Sequence, residues 1–192
     1  MMVAISSFHR VRTWRVAVAV FMLLILFVLP SCDQDDPAPV NEEEVITTLE
    51  VTLTPDVGGQ QVIMKFSDED GEQGSIAPVI TVSGSLKAST GYRGAVRFLN
   101  ETVSPAEDIS EEVKEEGNDH LVCFDSSLNI AIQYADTDGN GLPLGLATSW
   151  LTGAAGPAEV TISLRHQAGT KTGNCPGVGE TDVEVTFNLT VE

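Results

Sequence analysis

Basic residues are scarce in this sequence. Its 192 residues include 10 lysines and arginines against 28 aspartates and glutamates, a formal net charge of −18. A chain this acidic repels phosphate backbones and anionic lipid surfaces, which excludes nucleic-acid binding as a function class. Long apolar runs are missing too: residues 16–29 are uninterrupted, but a permanent transmembrane helix needs roughly 20 apolar residues. Aromatic side chains make up only 6% of the chain, and Phe and Tyr fall mostly on core parity, which argues against an aromatic-lined groove for glycan. Signatures of catalysis are absent, with no GxSxG, HExxH, phosphate-loop or CxxC pattern. Cys123 and His120 as nucleophile and base would fall on opposite faces of a strand. These absences point away from an enzyme.

What is present begins at the N-terminus. Arg10, Arg12 and Arg15 precede the apolar run, which ends Leu29-Pro30-Ser31-Cys32. A basic segment followed by an apolar stretch of this length is the pattern of a secretory signal peptide. Its end resembles the bacterial lipobox, which implies cleavage before Cys32 and a lipid on that sulfur. Two or more acyl chains give stable anchoring where a single chain does not. The acidic string Asp33-Gln34-Asp35-Asp36 resembles the export signal of Bacteroidota lipoproteins carried to the outer face of the outer membrane, with residence on the inner leaflet as the alternative. The expected organisation is a signal peptide over 1–31, a lipidated cysteine with an acidic tether over 32–44, and one domain over 45–192. Cleavage there leaves 7 basic residues against all 28 acidic ones, a net charge of −21. An acidic surface attracts cations, although ordinary solvated carboxylates account for the same charge.

Beyond the tether the apolar period is two. Val45, Thr47, Leu49, Val51 and Leu53 alternate with polar residues, as do Val62, Met64 and Phe66, and then Val96 and Phe98. Leu128, Ile130, Ile132 and Tyr134 follow, and the last segment runs Val183, Val185, Phe187, Leu189 and Val191. Alternation of this kind marks half-buried strands, and the Gly, Pro, Asn and Asp clusters between them supply turns. The expected fold is all-β: a single immunoglobulin-like β-sandwich of about eight strands, with a closed barrel as the alternative. Ser104-Pro105-Ala106-Glu107 reads as a helix-capping box. Ala106, Ile109 and Val113 continue at helical spacing to Gly117, which predicts one short crossover helix over about 105–116.

Candidate ligands fall into two sets. His120 shares parity with Val122 and Phe124, and His166 with Val160, Ile162 and Leu164. Each lies on an apolar face, at one strand's start and another's end. If those strands are antiparallel neighbours, the imidazoles meet at one end of the sandwich. Neutral imidazole is the commonest side-chain ligand for transition metals. Glu112 and Glu116, one helical turn apart, crowd acid into the helix's last turn, where it opposes the helix dipole; a cation there would relieve it. Histidines hydrogen-bonded at the core rim fit the same pattern. The second set is a calcium reading of the turns, with Asp136, Asp138 and Asn140 in DTDGNG and Asp68 and Asp70 in DEDGEQG. The first turn matches the front half of an EF-hand loop, but Ala147 stands where the bidentate acid belongs. A plain Asp/Gly/Asn turn fits equally. Cys123 and Cys175 fit either a disulfide, permitted outside the cytosol, or two unpaired thiols.

The stretches NEEEVITTLEVTLTP, FLNETVSPAEDISEEVKEEGNDH, DTDGNGLPLGL and LRHQAGTK with GETDVEVTF make the chain resemble a family of small Bacteroidota outer-membrane lipoproteins. Its members often bear the label "type 1 periplasmic binding fold". That label implies two α/β lobes, whereas the length and successive strand periods here imply one all-β domain. The resemblance also implies histidines at the positions of His120 and His166 and a TonB-dependent receptor as neighbour. The expected function is therefore a surface-exposed outer-membrane lipoprotein that captures or presents a ligand, a metal or metal complex among the candidates, for an uptake receptor. The competing expectation is a structural or adhesion module that contacts protein or glycan and holds no small ligand.

Overall fold

The computed structural model describes residues 44–192 apart from 72, 73, 128 and 176. Cys32, the apolar run, nearly all of the tether and Leu128 lie outside the described residues. The strand periods produce ten strands and one helix among the described residues. In chain order they are β1 (Thr48–Pro55), β2 (Val62–Ser67), β3 (Val79–Val82), β4 (Gly91–Asn100), β5 (Glu107–Asp108), α1 (Ile109–Glu115), β6 (His120–Ser126), β7 (Ile130–Tyr134), β8 (Ala147–Thr152), β9 (Gly156–His166) and β10 (Glu180–Val191).

Two antiparallel sheets pack face to face, an all-β sandwich with ten strands in place of the expected eight or so. The larger sheet runs β3-β2-β1-β4-β8-β7, with β5 paired to β4 off that path. The smaller runs β10-β9-β6. Cross-strand rows fill the core. In the larger sheet Phe66, Leu49 and Phe98 stand side by side, as do Met64, Val51 and Val96. Facing them, Val183, Leu164 and Val122 form one row of the smaller sheet, and Val185, Ile162 and Phe124 the next. Side-by-side apolar pairs of this kind are the unit of sheet stabilisation. No α/β lobes of the kind the family label implies occur among the described residues.

Two local expectations are corrected. The helix starts at Ile109, not near 105, because Glu107 and Asp108 first pair with Asn100 and Leu99 of β4. The Ser104–Pro105 peptide is cis. Asp108 provides the cap: its Oδ1 accepts from the Ser110 N–H at 3.2 Å, while Oδ2 accepts from Arg97 Nη2 at 2.8 Å. Ile109 and Val113, one turn apart, bury the inner face of α1. Val45 shares parity with Leu49 yet is 52% exposed. It precedes the start of β1, and Ile46 packs on the core in its place.

Cys123 and Cys175 are joined by a disulfide, S–S 2.01 Å, which ties β6 to the loop between β9 and β10 across a sequence separation of 52. The Cys123 thiol is therefore consumed. Among the described residues no helix is long and apolar enough to cross a membrane.

Candidate metal centre

At one end of the smaller sheet β6 begins, β9 ends and β10 begins. The register places His120 directly beside His166 and His166 beside Glu180. Directly opposed side chains on one face of an antiparallel pair lie close together, and the two imidazoles stack with centroids 4.7 Å apart and planes 14° from parallel. Stacking brings the rings together but prevents both from ligating one ion. Each nitrogen lone pair lies in its own ring plane, and an ion cannot occupy two near-parallel stacked planes at once.

The partners of His120 are residues that strand alternation hides. Asp182 is the extra residue of a β-bulge: Thr181 pairs with Arg165 and Val183 with Leu164, which leaves Asp182 without a cross-strand partner. A bulge re-aims a side chain, and here it turns Asp182 inward beside Val183 instead of outward. Glu44 arrives from the larger sheet, in the lead-in to β1. That lead-in is pinned where the Thr47 N–H donates to the Leu99 carbonyl at 2.9 Å and the Asp68 N–H donates to the Thr47 carbonyl at 2.8 Å.

Glu44, His120 and Asp182 each bring one ligand atom, all within 4.8 Å of one another. The His120 Nε2–Glu44 Oε1 distance is 2.8 Å, with the two side chains 0% and 5% exposed. The direction of this contact is wrong for an N–H donor, and Nε2 has no aligned hydrogen-bond partner. Adjacent ligands of an ion held tetrahedrally at 2.0–2.2 Å stand about 3.3–3.6 Å apart, so an ion between these two groups would open the contact by roughly half an ångström or slightly more. His120 Nδ1 lies 3.3 Å from the Glu116 carbonyl oxygen. A proton on Nδ1 donated there leaves the Nε2 lone pair free, the usual arrangement of a metal-ligating histidine with a backbone carbonyl behind it.

Three buried atoms here have no hydrogen-bond partner: Glu44 Oε2, His120 Nε2 and Asp182 Oδ2. Each unsatisfied buried polar group costs about 1–3 kcal/mol, more if charged. Burial, the largest single cause, pushes the Glu44 pKa up, but its contact with His120, its own backbone N–H and the nearby imidazoles together hold it below the usual carboxylate value. Burial pulls His120 down, and the Glu44 carboxylate outweighs that, raising it. Asp182 is pushed up to about 6, first by burial and then by the charge of Glu44. Arg165, the nearest arginine in sequence, turns its guanidinium to the Gly179 carbonyl at 2.8 Å and to the Thr181 hydroxyl.

The other expected ligands fall elsewhere. The Glu112 and Glu116 carboxylates are outside the ligand set. Glu116 contributes its backbone carbonyl, and Glu112 is raised by burial and then by the charges of Glu44, Glu116 and Glu107. The carboxylates that the calcium reading of residues 136–141 needs have other partners in the structure. Asp136 accepts from the Gly145 and Ala147 N–H groups at 2.7 and 2.8 Å. Asp138 Oδ1 accepts from the Asn140 and Leu142 N–H groups at 2.9 Å each, which leaves Asn140 as turn backbone. Lys171 Nζ, 2.7 Å from Asp138 Oδ2, stands where a cation would. In the other turn, Asp70 accepts from the Ser75 and Ile76 N–H groups. Asp68 alone keeps a buried oxygen, Oδ1, without a partner. It lines a cavity of about 410 Å³ that reaches Glu44 and Asp182.

No protein-family model matches the chain, and no curated protein or solved structure matches it either.

Proposed function

We propose that this chain is an outer-membrane lipoprotein, anchored through Cys32, whose β-sandwich binds a divalent transition-metal ion through Glu44, His120 and Asp182 as an accessory to an uptake receptor. One imidazole and two carboxylates form a mixed nitrogen and oxygen donor set, suited to zinc, iron(II) or manganese(II). The observation that carries the reading is the convergence of Glu44, His120 and Asp182 from three chain segments, each of which keeps a buried side-chain atom without a hydrogen-bond partner. A cation held by these three side chains would neutralise both carboxylates. The reading is one of binding; Cys123, three residues from His120 in β6, is locked in a disulfide. The anchor and its location rest on the N-terminal pattern of basic, apolar and cysteine residues.

Thermal unfolding tests the site. The compact unit Glu42–Glu192 contains the whole described core, so a chain starting at Asp33 serves. It is melted in EDTA and then with zinc, manganese, iron(II) or calcium. At 100 times the dissociation constant, a ligand of the folded state stabilises by about 2.7 kcal/mol. Stabilisation of that order by a transition metal, lost in His120→Ala, is the expected result. No response to any metal, or a response that survives in His120→Ala, overturns the proposal. A structural or adhesion role is favoured instead by one feature, the aliphatic edge where Ile76, Val79 and Ile80 are exposed; it predicts no metal response at all.

A further inference from the structure

We infer that the cavity beside this centre is a pocket for a small organic cation, a primary ammonium group carried on an apolar body. The inference concerns the cavity alone and holds whether or not an ion fills the centre. The space measures about 410 Å³ and lies where β2 and the lead-in to β1 face the bulged start of β10. That is within the usual range for small-molecule sites.

Two properties of its walls select the ligand. Five carboxylate side chains, those of Glu44, Asp68, Asp70, Asp182 and Glu184, line it, with no lysine, arginine or histidine among the described lining residues. Anions are therefore repelled. Phe66, Ile46 and Val183 supply an apolar wall that packs against the core. A hydrated inorganic ion gains nothing from such a wall, whereas a hydrocarbon body does.

Asp68 identifies the seat of the charge. Asp70 is occupied by the Ser75 and Ile76 N–H groups and only shapes the rim. Asp68 is 8% exposed and held by its own backbone N–H on Thr47, yet its Oδ1 has no partner. Glu44 Oε2 and Asp182 Oδ2 are likewise unpartnered on the same cavity. An ammonium group carries three donors and no acceptor, which complements such a set. With an ion on Glu44 and Asp182, Asp68 Oδ1 remains to accept. A neutral ligand, even one that donates a hydroxyl, leaves the carboxylate's charge uncompensated and makes the weaker hydrogen bond.

Calorimetric titration of the chain starting at Asp33 with 2-phenylethylamine, in EDTA at neutral pH, tests this. The controls are 2-phenylethanol, its neutral counterpart, and phenylacetate, its anionic one. The amine is expected to bind at least about tenfold tighter than the alcohol, with no binding of phenylacetate. Asp68→Asn is expected to weaken the amine at least about tenfold while its far-UV circular dichroism matches that of the parent. Equal binding of amine and alcohol, or no amine binding up to about 10 mM (a free energy near −3 kcal/mol), overturns the inference without any variant being needed. So does unchanged affinity in a folded Asp68→Asn protein. Because EDTA is present throughout, a failure here leaves the zinc result standing, and a failure of zinc binding leaves this one standing.

Discussion

Replacing Asp182 with asparagine should stabilise the metal-free protein and abolish its response to metal. Asp182 has a pKa of about 6 against 3.8 for the free side chain, because burial and the Glu44 charge disfavour its ionised form. For an acid shifted upward, the linkage cost is absent below pH 4, grows as the pH rises from 4 to 6, and is complete above 6. A rise of 2.2 pH units converts at 1.36 kcal/mol each to about 3 kcal/mol. Partial solvent contact at Asp182 screens this to about 1–2 kcal/mol. Urea or thermal unfolding in EDTA should therefore show Asp182→Asn more stable by that amount at pH 7.5, a few degrees in midpoint for a domain of this size. The advantage should disappear near pH 4. In saturating zinc the order should reverse, because only the parent chain gains about 2.7 kcal/mol at 100 times its dissociation constant. A variant that is less stable in EDTA at pH 7.5, or an advantage that does not change with pH, would refute the reasoning. The first outcome would mean that Asp182 has a structural partner, and the second that the gain has nothing to do with its charge.

Three further outcomes follow from the same structure. Cys175→Ser should destabilise by about 4 kcal/mol in the chain-entropy model for a loop of this separation, measured as a fall in urea midpoint that reductant reproduces in the parent protein. Asp138→Ala leaves the Lys171 ammonium, on a side chain 2% exposed, buried without its carboxylate. Loss of one partner of a buried pair costs about 3–5 kcal/mol, and added calcium should rescue neither this variant nor the parent. Ile109→Ala should cost about 2–5 kcal/mol by opening a cavity under α1 and should leave zinc affinity unchanged, which separates stability from binding by calorimetry.

The core strands were legible because both faces of each sheet obey one rule over many residues. Leu49, Val51 and Leu53, and Val185 through Val191, alternate without interruption and are buried as alternation requires. The juxtaposition of His120 and His166 was legible for the same reason, since parity and antiparallel pairing place them side by side. Alternation could not show what the rings do once there, because stacking depends on side-chain torsions. The two carboxylates were hidden for different reasons. Asp182 sits in GETDVEV, where parity assigns it to solvent; the bulge that turns it inward adds no unusual residue and breaks no period. Glu44 closes a run of three glutamates that reads as tether. The signal available was its position two residues before Ile46, the first side chain packed on the core. The helix start was misplaced because a local capping pattern at Ser104 competes with pairing between β4 and residues 107–108, and pairing across the sheet is not visible in a four-residue window.

X-ray absorption at the zinc edge of the one-to-one zinc complex tests the central claim most directly. A centre built from Glu44, His120 and Asp182 predicts scattering from a single imidazole with the remaining ligands oxygen, at about 2.0–2.2 Å, and loss of the imidazole signal in His120→Ala. Two imidazoles, or an all-oxygen shell with no imidazole, would contradict it.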